Sequence, residues 1–201
     1  MQHRSAGESG EVIGHLSPSR LIKLGDLTPQ PWKNGGGITR EVAIHPSHAQ
    51  ISKLDFDWRV SIAQVDASGP FSQFPGFDRK LVVWKGPGIK INGTDYARLS
   101  PFEFQGETPI QADLIGSPIS DFGVIFKRGE RTCDMSTRKL AEESETEIPH
   151  AKGDIFILCV SGELRIEGFY LNPGDVYHLA GPAAVRVKAF ERSEIVVAII
   201  R

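Results

Sequence analysis

The feature that most constrains the fold of this chain is a period of two in its apolar residues. Phe56, Trp58, Val60 and Ile62 alternate with polar neighbours. Because successive side chains of a β-strand point to opposite faces, the pattern predicts a strand with one apolar and one polar face. Short strand-like runs separated by Gly, Asn and Pro turns recur to the C-terminus, which predicts an all-β sandwich or barrel. The further predicted strands are 80–84, 89–91, 102–104, 110–115, 122–127, 133–138, 155–160, 163–167, 176–179, 185–189 and 195–200, and the acidic segment 139–147 is predicted to be an exposed loop.

The chain also carries a weak internal repeat. A Gly turn, a short strand, a second Gly and a Leu-x-Pro turn follow one another over residues 85–104 and again over 161–176. Repetition of one small structural unit favours a duplicated domain, so we predict two tandem small β-barrels with a seam near residue 115. The predicted units are a flexible N-terminal tail at 1–18, a first barrel at 19–115 and a second barrel at 116–201.

Composition excludes several classes of function. The 201 residues carry a net charge of -2, so the whole chain has no basic footprint for nucleic acid. The polar segment 1–18 lacks the apolar stretch of a secretory signal, and the apolar run 195–200 is too short to cross a membrane. Cys133 and Cys159 sit among apolar or strand-like neighbours, so we expect buried free thiols and a cytoplasmic location.

The first candidate functional segment is a glycine triplet with aromatic and polar neighbours. Three glycines in a row indicate a backbone that takes positive φ or approaches another group closely. A tight surface turn that enters a strand is one interpretation. The other is a ligand-contacting loop, because successive free N–H groups can form an anion-binding nest. The candidate residues here are Trp32, Lys33, Asn34, Gly35, Gly36, Gly37 and Thr39.

The second candidate segment is the stiff aromatic loop 69–79. It either plugs the mouth of a barrel or walls a cavity in which Arg59 and Arg79 bind a carboxylate through their planar guanidinium groups. Arginine on the inner face of a small barrel is costly unless it is paired or binds a ligand. Glu41 could instead orient Arg59 or Arg40 by ion pairing. The further candidates are Ser61, Phe71, Phe74 and Phe77.

No residue pattern identifies a reaction or a metal. The chain has six histidines but no His-x-His pair, and a lone strand histidine such as His178 is more often structural than a ligand. It has no Gly-x-Ser-x-Gly elbow and no phosphate-binding loop that ends in Gly-Lys-Ser/Thr. We therefore predict no catalytic residue, no metal and no cofactor.

Three segments resemble one known family. Residues 32–41 (WKNGGGITRE), 58–63 (WRVSIA) and 69–79 (GPFSQFPGFDR) are closely similar to the HutD/Ves family. Residues 121–124 (DFGV) look like its Asp-Phe-Asn segment, with Gly123 in place of Asn. The resemblance runs from about Leu21 to the C-terminus.

The resemblance implies a bicupin fold, a bacterial origin and a link to histidine utilisation. It also implies a regulator of pathway flux that senses a small acidic intermediate such as formylglutamate or urocanate. Combined with the arginines and the glycine loop, this predicts a non-catalytic cytoplasmic ligand-binding regulator that could form a homodimer. Two alternatives stay open. One is a metal-free cupin isomerase or amidohydrolase that uses Glu41 or His178 as acid or base, and the other is a structural partner that caps another histidine-pathway enzyme.

Overall fold

The computed structural model describes residues 19–201 apart from the side chain of His150, so the predicted tail at 1–18 lies outside the described residues. The all-β prediction is confirmed. Two short 3-10 helices span Leu24–Asp26 and Ile51–Lys53, and no helix in this part of the chain is long and apolar enough to cross a membrane.

The strands are numbered in chain order. The first strands are β1 (Ser19–Ile22), β2 (Pro29–Pro31), β3 (Gly37–His45), β4 (Trp58–Val65), β5 (Gly69–Pro70), β6 (Phe77–Lys85), β7 (Gly88–Ile91), β8 (Thr94–Ala97), β9 (Phe102–Gln105) and β10 (Gln111–Leu114). The remaining strands are β11 (Ile119–Lys127), β12 (Cys133–Leu140), β13 (Glu145–Ala151), β14 (Asp154–Ser161), β15 (Leu164–Ile166), β16 (Phe169–Leu171), β17 (Val176–Ala180), β18 (Ala183–Ala189) and β19 (Ser193–Ile200).

The strands form four sheets that reveal the duplication. One half combines a large sheet, β2-β3-β4-β11-β6-β9, with a small sheet, β5-β10-β7-β8. The other half combines β1-β17-β14-β19-β12 with β13-β18-β15-β16. Adding eight to each strand number converts β4-β11-β6-β9 into β12-β19-β14-β17, and converts β5-β10-β7-β8 into the second small sheet. The two halves therefore repeat one topology, with β2 and β3 added to the first large sheet and β1 added to the second.

Strand pairing does not follow the division predicted at residues 115 and 116. Strand β11 lies inside the first large sheet between β4 and β6, and β1 pairs with β17 at the edge of the second large sheet. In the strand order the repeat runs over β4–β11 and then β12–β19. The Gly and Pro turns of the sequence identify local hairpins, but they do not specify which edge a distant strand joins.

The segment 139–147 is a hairpin turn rather than a long loop. Strand β12 continues to the buried Leu140, and β13 begins at Glu145, so only four residues connect them. The Ser144 hydroxyl donates a hydrogen bond of 2.6 Å to the Ala141 carbonyl within this turn. The loop prediction was wrong at both ends of the segment. Its many charged side chains obscure the alternation of the two strands, whose buried residues, such as Leu140 and Ile148, are isolated.

Four apolar clusters organise the described part of the two halves. One lies between the two large sheets and includes Trp58 and Phe122 of the first half with Phe156 and Val196 of the second. A second fills the interior of the second half with aliphatic side chains such as Ile157. A third occupies part of the first half, between its large and small sheets. A fourth, smaller cluster in the first half consists of Phe56, Phe74, Phe77 and Ile125. The interior of the first half is therefore only partly filled by side chains.

Candidate functional site

A cavity of about 700 Å³ occupies the unfilled part of the first half. It lies on the inner face of β4, β11 and β6, and the segments around residues 30–34 and 70–74 form its rim. A volume of this size falls within the range of small-molecule sites. Nine of the residues predicted from the sequence line it: Trp32, Lys33, Asn34, Thr39, Arg59, Ser61, Phe71, Phe74 and Arg79.

The floor of the cavity is a grid of side chains from three neighbouring strands. Residues paired across antiparallel strands project to the same side of the sheet. Strand β11 is central, and it carries Ile125, Gly123 and Asp121 on the inner face. The register gives three rows, namely Arg59–Ile125–Arg79, Ser61–Gly123–Leu81 and Ala63–Asp121–Val83.

Arg59 supplies a positive charge that is fixed by an ion pair and still lines the cavity. Its side chain is only 5% exposed, and its Nε donates a hydrogen bond of 2.8 Å to Glu41 Oε2. The Glu41 side chain is 32% exposed and is not among the lining residues, although its partner across the strands, Ser61, is. The carboxylate therefore orients Arg59, as one sequence alternative proposed, while the Nη groups of the guanidinium have no hydrogen-bond partner among residues 19–201.

Arg79 is held chiefly by aromatic rings. Its guanidinium carbon lies 5.3 Å from the ring centres of Phe71 and Phe74 and 5.1 Å from that of Phe104, distances typical of cation–π contacts. Nη1 donates to the Ser72 carbonyl at 3.0 Å, and Nε is buried with no partner in the described chain. Burial lowers the pKa of Arg79 to about 10, so the group stays charged at neutral pH. The Arg79 guanidinium therefore supplies a positive charge at a fixed position, and it is less free than Arg59 to form a bidentate pair of hydrogen bonds with a carboxylate.

Asp121 is a buried carboxyl group that faces the same cavity. The residue is 5% exposed, and its row neighbours Ala63 and Val83 are apolar. No group within the described residues donates a hydrogen bond to its carboxyl oxygens or forms an ion pair with them. Burial raises the pKa of Asp121 to about 7, and the nearby charge of Arg79 opposes part of that rise.

The glycine triplet forms the tight turn between β2 and β3. The Gly35 N–H donates to the Trp32 carbonyl at 3.0 Å, and the Gly36 N–H donates to Asn34 Oδ1 at 3.0 Å. These two N–H groups are therefore not free to bind an anion, and none of Gly35, Gly36 and Gly37 lines the cavity. A Cβ atom at Gly37 would lie 2.2 Å from the backbone oxygen of Gln64, so a close approach of two strands requires glycine there. For these N–H groups, the structure fits the interpretation as a surface turn better than the interpretation as an anion-binding nest.

The rest of the turn and the aromatic loop shape the rim of the cavity. The Trp32 indole N–H donates to Thr39 Oγ1 at 2.8 Å, which fixes the ring at one side. Phe71 and Phe74 line the cavity, whereas Phe77 packs beneath it against Phe56 with ring centres 4.5 Å apart. The loop thus both walls the cavity and seals its base.

His178 lies away from the cavity. Its Nε2 is 2.8 Å from Asp154 Oδ1, and its ring stacks on Phe156 in the cluster between the two large sheets. It is therefore not placed to serve as an acid or base for a ligand in the first half, contrary to that part of the enzyme alternative. No group of three or more His, Cys, Asp and Glu side chains within residues 19–201 could hold a metal ion.

The sequence interpretation missed Asp121 as a site residue. The signal was present, because Asp121 and Gly123 alternate with the apolar Phe122 and Val124 and so share an inner face. Recognising it required the pairing partner of β11, since only the register with β4 sets this strand next to Arg59 and Ser61. Leu81 and Ile125 were missed for the same reason.

The fold and the cavity together define a class: a two-half, all-β protein of the cupin type with a ligand-sized cavity in its first half. Solved structures with low sequence identity support the fold. Protein Ylba from Escherichia coli superposes with a TM-score of 0.65 at 10% identity, over 91% of each chain. An oxalate decarboxylase from Bacillus subtilis gives 0.67 at 9% identity, over 92% of this chain and 78% of that one. The bicupin prediction is thereby confirmed.

The HutD family model matches residues 25–197, so the chain belongs to the HutD family. HutD from Pseudomonas fluorescens SBW25, determined in a formate condition, is 27% identical with a TM-score of 0.71, over 92% of this chain and 100% of that one. An uncharacterised 21.2 kDa protein in the hutC 3' region of Pseudomonas putida is 37% identical over 55% of this chain and 60% of that protein. Protein Ves from Escherichia fergusonii is 32% identical over 63% of this chain and 66% of that protein. The chain thus matches less than two thirds of the length of these last two relatives. The family is linked to a histidine-utilisation locus.

Proposed function

We propose that this protein is a non-catalytic regulator of histidine utilisation that binds a small carboxylate in the cavity of its first half. The observation that carries the proposal is the state of Arg59. Its guanidinium is almost fully buried, is oriented by Glu41 through Nε, and has its remaining N–H groups without a protein partner in residues 19–201. Unused donors on a buried cation are costly unless a ligand or water accepts their hydrogen bonds.

The charge of the cavity favours an anion. Lys33, Arg59 and Arg79 line it, and Asp121 is the one acidic residue among the lining side chains. Glu41 neutralises part of the Arg59 charge through its ion pair with Nε. Because Arg79 is fixed by aromatic rings, Arg59 is the group that can form two parallel hydrogen bonds to a carboxylate. Ser61 and Thr39 would add neutral hydrogen bonds, and Trp32 and Phe71 would cover the apolar part of the ligand.

The ligand class that fits is a small organic acid such as N-formylglutamate or urocanate. Each carries at least one carboxylate and is far smaller than the cavity volume of about 700 Å³. The P. fluorescens HutD structure in a formate condition makes formate a useful minimal carboxylate probe.

The direct test is isothermal titration calorimetry of the purified full chain with N-formylglutamate, urocanate and formate. Arg59→Ala should weaken binding of an organic acid by about 2–5 kcal/mol, because it removes a buried partner of the carboxylate. Arg165→Ala, at an exposed position on β15, is the matched control and should leave affinity unchanged. Methyl esters of the same acids should not bind.

Two results would count against the proposal. Equal affinity of wild type and Arg59→Ala would remove Arg59 from the site. Binding of the methyl ester as tight as that of the free acid would remove the carboxylate as the recognised group. Circular dichroism of each variant establishes that a loss of binding is not a loss of fold.

One observation favours the enzyme alternative. Asp121 has a pKa raised to about 7 and faces the cavity, and a carboxyl group of this kind is suited to general acid–base catalysis. Prolonged incubation with N-formylglutamate or urocanate distinguishes the two functions. Recovery of unchanged compound supports a regulator, whereas turnover that is abolished in Asp121→Asn would establish a metal-free enzyme. A cytoplasmic location and a homodimer remain predictions, as does the absence of nucleic-acid and membrane partners.

A further inference from the structure

The cavity floor has an acidic end as well as a basic end. The row that contains Arg59 and Arg79 lies four residues along β11 from the row that contains Asp121. At about 3.4 Å per residue, the two rows are roughly 14 Å apart at the backbone, so the long arginine side chain and the ligand together would span this distance. Gly123 occupies the row between them and contributes no side chain, so the floor is open from one end to the other.

We propose that Asp121 and Gly123 form a second subsite that accepts an N–H donor of the ligand, while Arg59 binds the carboxylate at the other end. This inference rests on the proposed function and narrows its ligand to a small acid that carries an N–H group several bonds from its carboxylate. Asp121 is then a specificity-determining residue, and it takes no part in a reaction.

The surroundings of Asp121 favour an external partner. The residue is nine-tenths buried, and its neighbours in the row, Ala63 and Val83, offer no hydrogen bonds from their side chains. The Asp121 carboxyl oxygens have no hydrogen-bond partner in residues 19–201 and are not among the fully buried atoms of that kind, so they are open to the cavity and available to a ligand or to water.

The charges around the cavity favour an acceptor role for the carboxyl group. The other charged groups that line the cavity are Lys33, Arg59 and Arg79, all positive. Burial raises the pKa of Asp121 to about 7 and the charge of Arg79 opposes part of that rise, so the carboxyl group keeps an acceptor oxygen in its protonated form and only accepts hydrogen bonds once it is ionised. A second carboxylate of the ligand would be repelled there, whereas an N–H group would not.

Gly123 provides the space for the donor. A Cβ at position 123 would lie 3.6 Å from Asp121 Oδ1 and 3.5 Å from Leu81 Cγ, both ordinary contact distances. Glycine is therefore not required there by packing of the backbone. Its effect is to leave the volume beside the Asp121 carboxyl group unoccupied, where a ligand atom can approach.

Two pairs of probes test this inference, and the members of each pair differ by an oxygen in place of the N–H group. One pair is urocanate and 3-(oxazol-4-yl)acrylate, and the other is N-formylglutamate and 2-(formyloxy)glutarate. At pH 8.5, where Asp121 is ionised, a hydrogen bond to this charged acceptor predicts that wild type binds the N–H member at least about 10-fold more tightly. Asp121→Leu should abolish that preference, and Asp121→Asn, which keeps one neutral acceptor oxygen, should retain part of it.

The outcomes separate this inference from the proposed function. A probe that depends on Arg59 but shows no N–H preference, or keeps the full preference in Asp121→Leu, overturns the subsite and leaves carboxylate binding intact. Failure of all four probes to bind overturns the proposed function, and the subsite with it. If Asp121→Leu does not fold, loss of part of the preference in Asp121→Asn still supports the subsite, and an unchanged preference refutes it. Asp95→Asn on the exposed strand β8 is the control and should bind like wild type.

Discussion

Asp121 should make the stability of the protein fall as the pH rises. Burial raises its pKa from the usual 3.8 to about 7, so the folded state binds this proton more tightly than the unfolded state does. A group of this kind contributes stability that is complete below pH 3.8 and is lost as the pH rises through about 7. The full difference corresponds to about 4 kcal/mol.

Part of that difference falls in an accessible pH range. Between pH 5 and pH 8.5, loss of the Asp121 proton should lower the free energy of unfolding by about 3 kcal/mol. Asp121→Asn cannot ionise, so it should lack this contribution. Any fixed cost of the buried amide is the same at both pH values and cancels when the two are compared within one variant.

Urea unfolding of wild type and Asp121→Asn at pH 5 and pH 8.5 measures the effect, with Asp95→Asn as the exposed control. Other groups, such as the histidines, titrate over the same range, but they are shared by all three proteins. Between pH 5 and pH 8.5, the free energy of unfolding of wild type should fall by about 3 kcal/mol more than that of Asp121→Asn. The fall for Asp95→Asn should equal that for wild type. The same change in all three proteins would mean that Asp121 ionises normally, and the account of the cavity floor would be wrong. The ¹³C shift of the Asp121 carboxyl carbon, followed by NMR against pH, gives the pKa independently.

Two further predictions concern packing and reactivity. Gly37→Ala should destabilise the fold by about 1–3 kcal/mol in urea unfolding, because its Cβ would lie 2.2 Å from a backbone oxygen, and Gly69→Ala, which meets nothing within 4 Å, should not. Equal stability of the two variants would refute the close strand approach. Burial raises the pKa values of Cys133 and Cys159 to about 12, so neither thiol should react with a disulfide reagent at pH 8 until the protein is unfolded, whereupon both should. Reaction of either thiol in the native protein would contradict its burial.

Much of the architecture could be predicted from the period of two. The alternation around Trp58 and Arg59 identified both faces of β4, because one face packs between the two large sheets and the other lines the cavity. Short strands such as β5 and β16 have too few residues to show alternation. Segment 139–147 misled the sequence interpretation, since exposed charges outnumber its buried anchors.

The candidate site could be predicted only in part. Arg59 and Arg79 stand out because a cationic side chain is costly on the inner face of a small barrel, and Trp32 stands out because it flanks the glycine triplet. The carboxyl group of Asp121 lies far from them in sequence, and the pairing of β11 with β4 and β6 brings it to the same floor. Single-sequence patterns carry no register between distant strands, so this part of the site became visible only in three dimensions.

The duplicated topology allows the cavity of the first half to be compared with the equivalent apolar core of the second half. Strand β19 occupies in the second half the place that β11 occupies in the first, and its inner face carries Ile195 and Val197 within a filled core. On β11 the inner face carries Asp121 and Gly123 instead. An apolar side chain at each of these positions would bury more hydrocarbon and remove a buried carboxyl group. The inner face of β11 therefore stabilises the first half less than the inner face of β19 stabilises the second. Loss of stability confined to one of two related halves is what a functional site requires, because binding groups must stay unpaired until the ligand arrives. The second half can then act as the rigid support against which the first half's large sheet packs.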